Sequence, residues 1–314
     1  MIEIYSSESE TKIPVRQYTI SKGCWVRLIE PTDEELSLVC GTLSIEKADL
    51  TVLLDEEERP RVEYDEGMSL ILIDTPYVVK EDEIESYTTV PGGFVILPDA
   101  IISVSLRKNP ILDLFAAGKI KNFSTENKIR FILLFLYRNA DLFVQTLRLI
   151  DKRMTEIEKT LKRSTKNEEL FHMLTLSKSL VYITNSLKGN KSVLEKLSRS
   201  QIIMANMTEE DGDLLDDTII ENTQALEMAY TYSETISSTM GAFASIINNN
   251  VNQVMKIFTC FAALITVPML ISGFFGMNVM VPFTEYPFAF VSIIIGSLGL
   301  SSLLLFVIIK MKVI

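Results

Sequence analysis

Several residue types that enzymes and nucleic-acid binders depend on are nearly missing from this chain. Histidine occurs once, at His172, and tryptophan once, at Trp25. A single histidine leaves no room for a Ser-His-Asp or Cys-His relay. No glycine-rich phosphate loop follows any β-like run, so the chain reads as no enzyme, and it calls for no cofactor. Cysteine occurs three times, at Cys24, Cys40 and Cys260. Three scattered thiols make neither a disulfide frame nor a zinc site, which fits a reducing compartment. Basic residues are in short supply. Thirty Lys and Arg stand against 41 Asp and Glu, a net charge of −11, so nucleic acid is not an expected partner.

The most informative absence is of charge itself. No charged residue lies between Ile257 and Val281, and none between Pro287 and Ile309. Each run exceeds the roughly 20 apolar residues that cross about 30 Å of hydrocarbon. Two such runs close to the last residue leave nothing downstream to bury them, so a lipid bilayer is the expected partner. Lys256 flanks the first run, and Lys310 and Lys312 follow the second. The link between the runs carries only Glu285. The positive-inside rule then places both termini in the cytoplasm of a multi-pass plasma (inner) membrane protein. The polar start Met1-Ile2-Glu3-Ile4-Tyr5-Ser6 does not resemble a signal peptide.

The expected fold class is an α/β cytosolic domain, then long α-helices in a coiled hairpin and stalk, then two transmembrane helices. The α/β domain spans 1–122. Strand-like runs occur at Trp25–Ile29, Leu50–Leu54, Ser69–Asp74, Phe94–Leu97 and Ile101–Leu106, with a turn signal at Pro91-Gly92-Gly93. Thr32 and Glu35 form a capping-box pattern for a helix over Asp33–Cys40, with Gly41 as its stop. A helical hairpin is expected over 123–207. Leu147, Ile150, Met154, Ile157 and Leu161 step by three and four, as do Met173, Leu176, Leu180, Ile183 and Leu187. A turn falls at Ser164-Thr165-Lys166-Asn167, and Gly189-Asn190 reads as a break. Over 208–275 a capping pattern at Thr208 and Asp211 opens one helix that continues into the first span. At 1.5 Å per residue it would be on the order of 100 Å long. An external loop at 276–286, a second span at 287–309 and a basic tail at 310–314 complete the chain.

The first span carries a lean stripe. Asn248, Asn252, Met255, Thr259, Ala262, Thr266, Met269 and Gly273 follow one another at steps of three or four. All are small, polar or thioether side chains, while Ile257, Phe261, Leu264, Ile265, Leu270 and Phe274 fall off the line. Small residues allow close helix packing, and polar ones line a water-filled path. The Asn and Thr positions favour the path. The stripe ends at Gly276-Met277-Asn278, where an amide oxygen adds a neutral ligand. Mg²⁺ dehydrates reluctantly, so neutral oxygens contacting it through its waters bind it weakly enough to release it. Two spans cannot enclose a path, so several copies must surround one axis.

Gly276-Met277-Asn278 followed by a second span resembles the CorA family of Mg²⁺ transporters. The run from Ser245 to Lys256, Glu221-Asn222-Thr223-Gln224-Ala225-Leu226-Glu227-Met228, and Lys178-Ser179-Leu180-Val181-Tyr182 are similar to family segments. The resemblance implies a homopentamer with a funnel-shaped cytosolic domain, a selectivity filter at Gly276, Met277 and Asn278, and a pore lined by the first span. It also implies Mg²⁺ as the chief transported ion, with Co²⁺ and Ni²⁺ as secondary substrates. Many family members follow the tripeptide with Met-Pro-Glu-Leu. Here Val279-Met280-Val281-Pro282-Phe283-Thr284-Glu285 stands instead, making Glu285 the carboxylate of the external mouth. Zinc-carrying relatives have Ile for Met in the tripeptide. A zinc or Mg²⁺-efflux transporter of the same architecture, and a membrane-tethered coiled-coil adaptor, are the rival readings. Six carboxylates, Glu209, Glu210, Asp211, Asp213, Asp216 and Asp217, crowd the start of the long helix. Asp213 and Asp217 share a face. Across a subunit interface that face would meet acidic stretches at Asp55-Glu56-Glu57-Glu58 and Glu81-Asp82-Glu83, and cytosolic Mg²⁺ would relieve the repulsion. Inter-subunit sensing of this kind is also what the resemblance implies. Asp213 and Asp217 are therefore the expected regulatory metal sensors.

Overall fold

The computed structural model describes residues 1–7, 13–65, 67–81, 84–161, 167–279, 282 and 287–311. Its elements run β1 (Ile2–Ser7), β2 (Pro14–Gln17), β3 (Cys24–Ile29), α1 (Asp33–Leu43), α2 (Lys47–Thr51), β4 (Arg61–Asp65), β5 (Met68–Glu81), β6 (Ile84–Ile96), β7 (Ala100–Ser105), α3 (Pro110–Ala116), α4 (Lys128–Leu161), α5 (Asn167–Ser198), α6 (Gln201–Met204), α7 (Glu209–Phe275) and α8 (Ala289–Lys310). The chain divides into two compact units, Met1–Ser238 and Thr239–Ile314. The segments 1–122 and 123–207 thus lie in one unit.

In the first unit seven strands form one sheet in the order β2-β1-β3-β7-β6-β5-β4. Among the described residues only β3 and β7 pair parallel; the other neighbours are antiparallel. Both strands of the parallel pair are buried along their whole length, because helices cover both faces of the sheet. Strand alternation sends Trp25, Ile71, Ile73, Phe94 and Ile101 to one face, where they meet α3, α4, α5 and the start of α7. Val26, Leu28, Leu70, Leu72, Val95 and Ile102 point to the other face, against α1 and α2. Aromatic rings concentrate on the first face. The Phe123 and Phe131 centroids are 4.7 Å apart and those of Trp25 and Phe131 are 5.0 Å apart.

Four local expectations need correction, and two share a cause. Pro91-Gly92-Gly93 is no turn: it sits inside β6. A Cβ on Gly93 would lie 2.2 Å from the Ile71 carbonyl oxygen and 2.8 Å from Leu53 Cδ2, so the glycine serves close approach of neighbours. Gly189-Asn190 does not break α5. A Cβ on Gly189 would meet Pro60 Cγ at 2.8 Å, and Asn190 clamps the backbone of Asp74. The Asp74 N–H donates to Asn190 Oδ1 at 3.0 Å, and Asn190 Nδ2 donates to the Asp74 carbonyl at 2.9 Å. Asn139 Nδ2 of α4 donates to the same carbonyl at 2.8 Å. Gly41 does not stop α1, which continues to Leu43 and ends on left-handed Ser44 with φ 54°. Finally, Leu50–Leu54 is helical, divided between α2 and a 3₁₀ turn over Val52–Leu54. A five-residue apolar run cannot distinguish a strand from a buried helical turn. Strands β1, β2 and β4 escaped the apolar-run criterion because they are half-exposed.

The Thr32–Glu35 capping box is present in both directions. All ten heptad residues of the α4–α5 hairpin are buried. The turn at 164–167 falls largely outside the described residues.

Candidate ion-conduction site

Helix α7 opens on the Thr208–Asp211 box. Asp211 N–H donates to Thr208 Oγ1 at 3.3 Å, and Thr208 N–H donates to Asp211 Oδ2 at 3.1 Å. Asp211 is buried and also takes a 2.7 Å ion pair from Arg130 of α4. One member of the acidic cluster is therefore a structural cap. Asp213 and Asp217 are exposed, as are Asp55, Glu56 and Glu57. Among the described residues no three His, Cys, Asp or Glu side chains are placed to share a metal ion. Neither sensor candidate is therefore part of such a group. The acidic stretch at Glu81-Asp82-Glu83 lies largely outside the described residues.

Among the described residues two helices, α7 and α8, are long and apolar enough to cross a membrane. In the second unit α8 packs on one side of α7. Cys260 is buried, and Leu264, Val267, Ile271 and Phe275 are partly covered. Ser301 of α8 donates to the Leu264 carbonyl at 3.3 Å. Ile271 and Phe275 line a cavity with Phe288, Ser292, Gly296 and Leu300. At 3.6 residues per turn the mean direction of this covered face is roughly 150° from that of the lean stripe.

The stripe itself is uncovered. Asn248, Asn252, Met255, Thr259, Ala262, Thr266, Met269 and Gly273 are all exposed. So are the bulky residues Ile257, Phe261, Ile265, Leu270 and Phe274 beside it, and exposure in one chain does not separate them. What does separate the stripe is chemistry. The Thr259 hydroxyl donates to the Met255 carbonyl at 2.7 Å, and that of Thr266 donates to Ala262 at 2.8 Å. With their protons engaged on the helix, both oxygens present lone pairs outward. These are acceptors for water, whose protons face away from a hydrated cation.

Past Phe275 the helix unwinds. Gly276 N–H still donates to the Ser272 carbonyl at 2.9 Å, and Met277 N–H reaches Phe274 at 3.4 Å. Met277 and Asn278 are exposed. A glycine at the end of a span can free the backbone from helical angles, but the φ of Gly276 is not left-handed. A Cβ would sit 3.2 Å from the Ser272 oxygen, the same carbonyl that accepts the Gly276 N–H. Glu285 lies outside the described residues. Pro268, inside α7, is a feature the sequence reading passed over, and a proline within a span is the signal that marks it.

The family model described as CorA-like Mg2+ transporter protein matches residues 21–310. The cobalt/magnesium transport protein CorA of Methanocaldococcus jannaschii is 31% identical over 263 residues, covering 81% of this chain and 79% of that protein. The complete structure of the CorA magnesium transporter from that organism superposes with a TM-score of 0.83 at 26% identity, over 98% of this chain and 96% of the other. Full-length CmaX has the same fold, with a TM-score of 0.70 at 17% identity over 99% and 97% of the two chains. The ZntB cytoplasmic domain from Vibrio parahaemolyticus shares it too, with a TM-score of 0.59 at 13% identity over 80% and 98%. With a match across most of its length, this chain belongs to the CorA family of Mg²⁺ transporters.

Proposed function

We propose that the protein is a homopentameric membrane channel that conducts hydrated divalent cations, chiefly Mg²⁺ into the cytoplasm, with Co²⁺ and Ni²⁺ as secondary substrates. The observation that carries this reading is the free lean face of α7. It is set opposite the α8 contact, lined by neutral oxygen acceptors, and ends at Gly276-Met277-Asn278. Five such faces around an axis would make a path that a cation can traverse with its water shell. The name of the M. jannaschii relative, a cobalt/magnesium transport protein, supports the choice of ions. Met277 and Asn278 with Gly276 act as the selectivity filter, and Glu285 steers cations toward it from outside. Both termini lie in the cytoplasm, on the side marked by Lys256 and Lys310.

Asp213 and Asp217 serve as the brake. When cytosolic Mg²⁺ is plentiful it bridges these carboxylates to acidic groups of a neighbouring copy and holds a closed state. When Mg²⁺ falls, repulsion loosens the assembly. The decisive experiment is cation flux into proteoliposomes with Mg²⁺, Co²⁺, Ni²⁺ and Zn²⁺, for wild type and Asn278→Ala, with the mass of the solubilised assembly measured in parallel. Wild type should carry Mg²⁺ best, and Asn278→Ala should carry none while remaining pentameric. Preferential Zn²⁺ flux, outward-only transport, or wild-type flux in Asn278→Ala would overturn the assignment.

A further inference from the structure

Pro268 lies within the membrane-spanning part of α7. Proline has no backbone N–H, so the carbonyl four residues earlier, that of Leu264, loses its helical donor. In hydrocarbon no water replaces it, and an orphaned carbonyl at that depth is costly. Leu264 is not orphaned here. The Ser301 hydroxyl of α8 donates to its oxygen at 3.3 Å.

Three other hydroxyls in these spans serve their own helix. Thr259, Thr266 and Ser297 donate to Met255, Ala262 and Ile294, each three or four residues back. Ser301 bonds instead across to the other helix, and to the carbonyl that the proline leaves unserved. Leu264 and Pro268 lie on the covered face of α7, and Thr266 and Met269, on either side of Pro268, belong to the stripe. A change of bend at Pro268 therefore moves the stripe, and the bond to Ser301 resists it.

We propose that Ser301 is a positioning residue for the conduction path: its hydroxyl supplies the hydrogen bond missing at Pro268 and so sets the bend of the first span from the second. The proposal rests on the channel reading above. It makes α8 a determinant of pore geometry as well as a membrane anchor, and it makes loss of one hydrogen bond a shift between two bends of α7.

The test is a four-protein cycle of wild type, Ser301→Ala, Pro268→Ala and the double variant, with Ser301→Thr as the conservative control. Mg²⁺ flux into proteoliposomes and the melting temperature of the solubilised assembly are both measured. Loss of one hydrogen bond shifts a two-state balance about two- to tenfold. Ser301→Ala should therefore change Mg²⁺ flux by about that factor and lower the melting temperature, and Ser301→Thr should restore both. Pro268→Ala returns an N–H to Leu264, so Ser301→Ala should have no further effect in that background. Equal effects of Ser301→Ala in both backgrounds, or none in the wild type, would overturn the proposal. If wild type carries no Mg²⁺, the channel reading fails by itself, and the melting temperatures alone decide whether Ser301 serves Leu264.

Discussion

Replacing Asp211 with alanine should cost the first unit more than any other change in the acidic cluster. Asp211 is 1% exposed, receives the Arg130 guanidinium at 2.7 Å, and closes the capping box with Thr208. Breaking a buried ion pair from one side costs about 3–5 kcal/mol. Arg130 is 19% exposed and retains Glu210 at 3.3 Å, which brings that contribution down to about 2–3 kcal/mol. Loss of the carboxylate half of the capping box, which accepts from the Thr208 N–H and hydroxyl, adds about 1 kcal/mol. The total is about 3–4 kcal/mol, or roughly 6–16 °C in melting temperature for a unit of this size. Trp25, the chain's single tryptophan, is fully buried against Phe131, so its fluorescence reports melting of this unit. The control is Asp213→Ala, an exposed position where the change should stay within about 0.5 kcal/mol. A Trp25 melting curve for Asp211→Ala within 2 °C (about 1 kcal/mol) of wild type would refute the reasoning. So would equal losses from the two variants, since burial would then not be what sets their roles apart.

Asp213→Asn and Asp217→Asn should leave the melting curve alone and move the internal Mg²⁺ level at which flux stops; shut-off at the wild-type level in both would remove this face as the sensor. Gly93→Ala should destabilise the sheet by several kcal/mol, because the new methyl group would stand 2.2 Å from the Ile71 oxygen. A soluble, wild-type-like yield and melting temperature would contradict the packing described. Gly276→Ala should reduce Mg²⁺ flux, since the Ser272 oxygen must give by a few tenths of an ångström; unchanged flux would show that the turn has room. Burial raises the Asp74 carboxyl above the ordinary carboxylate range, opposed by a Ser186 hydrogen bond. A raised folded-state value means that stability present below the ordinary value of about 4 is lost as pH rises through the folded one. Asp74→Asn should thus gain on wild type in melting temperature as pH is raised from about 4 toward neutrality, and an advantage that shrinks over that range would reverse the sign of the argument.

Much of the architecture is present in local pattern, where the physics acts between near neighbours in sequence. Period-3.5 repeats from Leu147 to Leu161 and from Met173 to Leu187 mark helices with a buried seam, and all ten residues are in fact buried. The Thr208–Asp211 and Thr32–Glu35 boxes mark helix starts because the bonds they make span only three residues. Charge-free stretches mark the spans because the cost of a charge in lipid is paid residue by residue. The lean stripe and Gly276-Met277-Asn278 are legible for the same reason. The glycines were not, because the partner that requires a glycine is remote in sequence. Gly93 is set by the Ile71 carbonyl and Gly189 by Pro60, and neither partner appears in the local string.

By itself, then, the sequence determined the element types of the long helices, the two membrane spans, the stripe along the first, and the tripeptide at its end. Each follows from interactions within a helical turn or from transfer of single residues into lipid. Tertiary structure alone decided that Asp211 is a cap and an ion-pair partner while Asp213 and Asp217 stay free on the surface, since that depends on where Arg130 of α4 lies. It decided that β3 and β7 pair in parallel at the centre of the sheet. It also decided that α8 covers the face of α7 away from the stripe and brings Ser301 to the carbonyl that Pro268 leaves without a donor. These are contacts between segments tens of residues apart, and no periodicity within either segment encodes which atoms of the other it will meet.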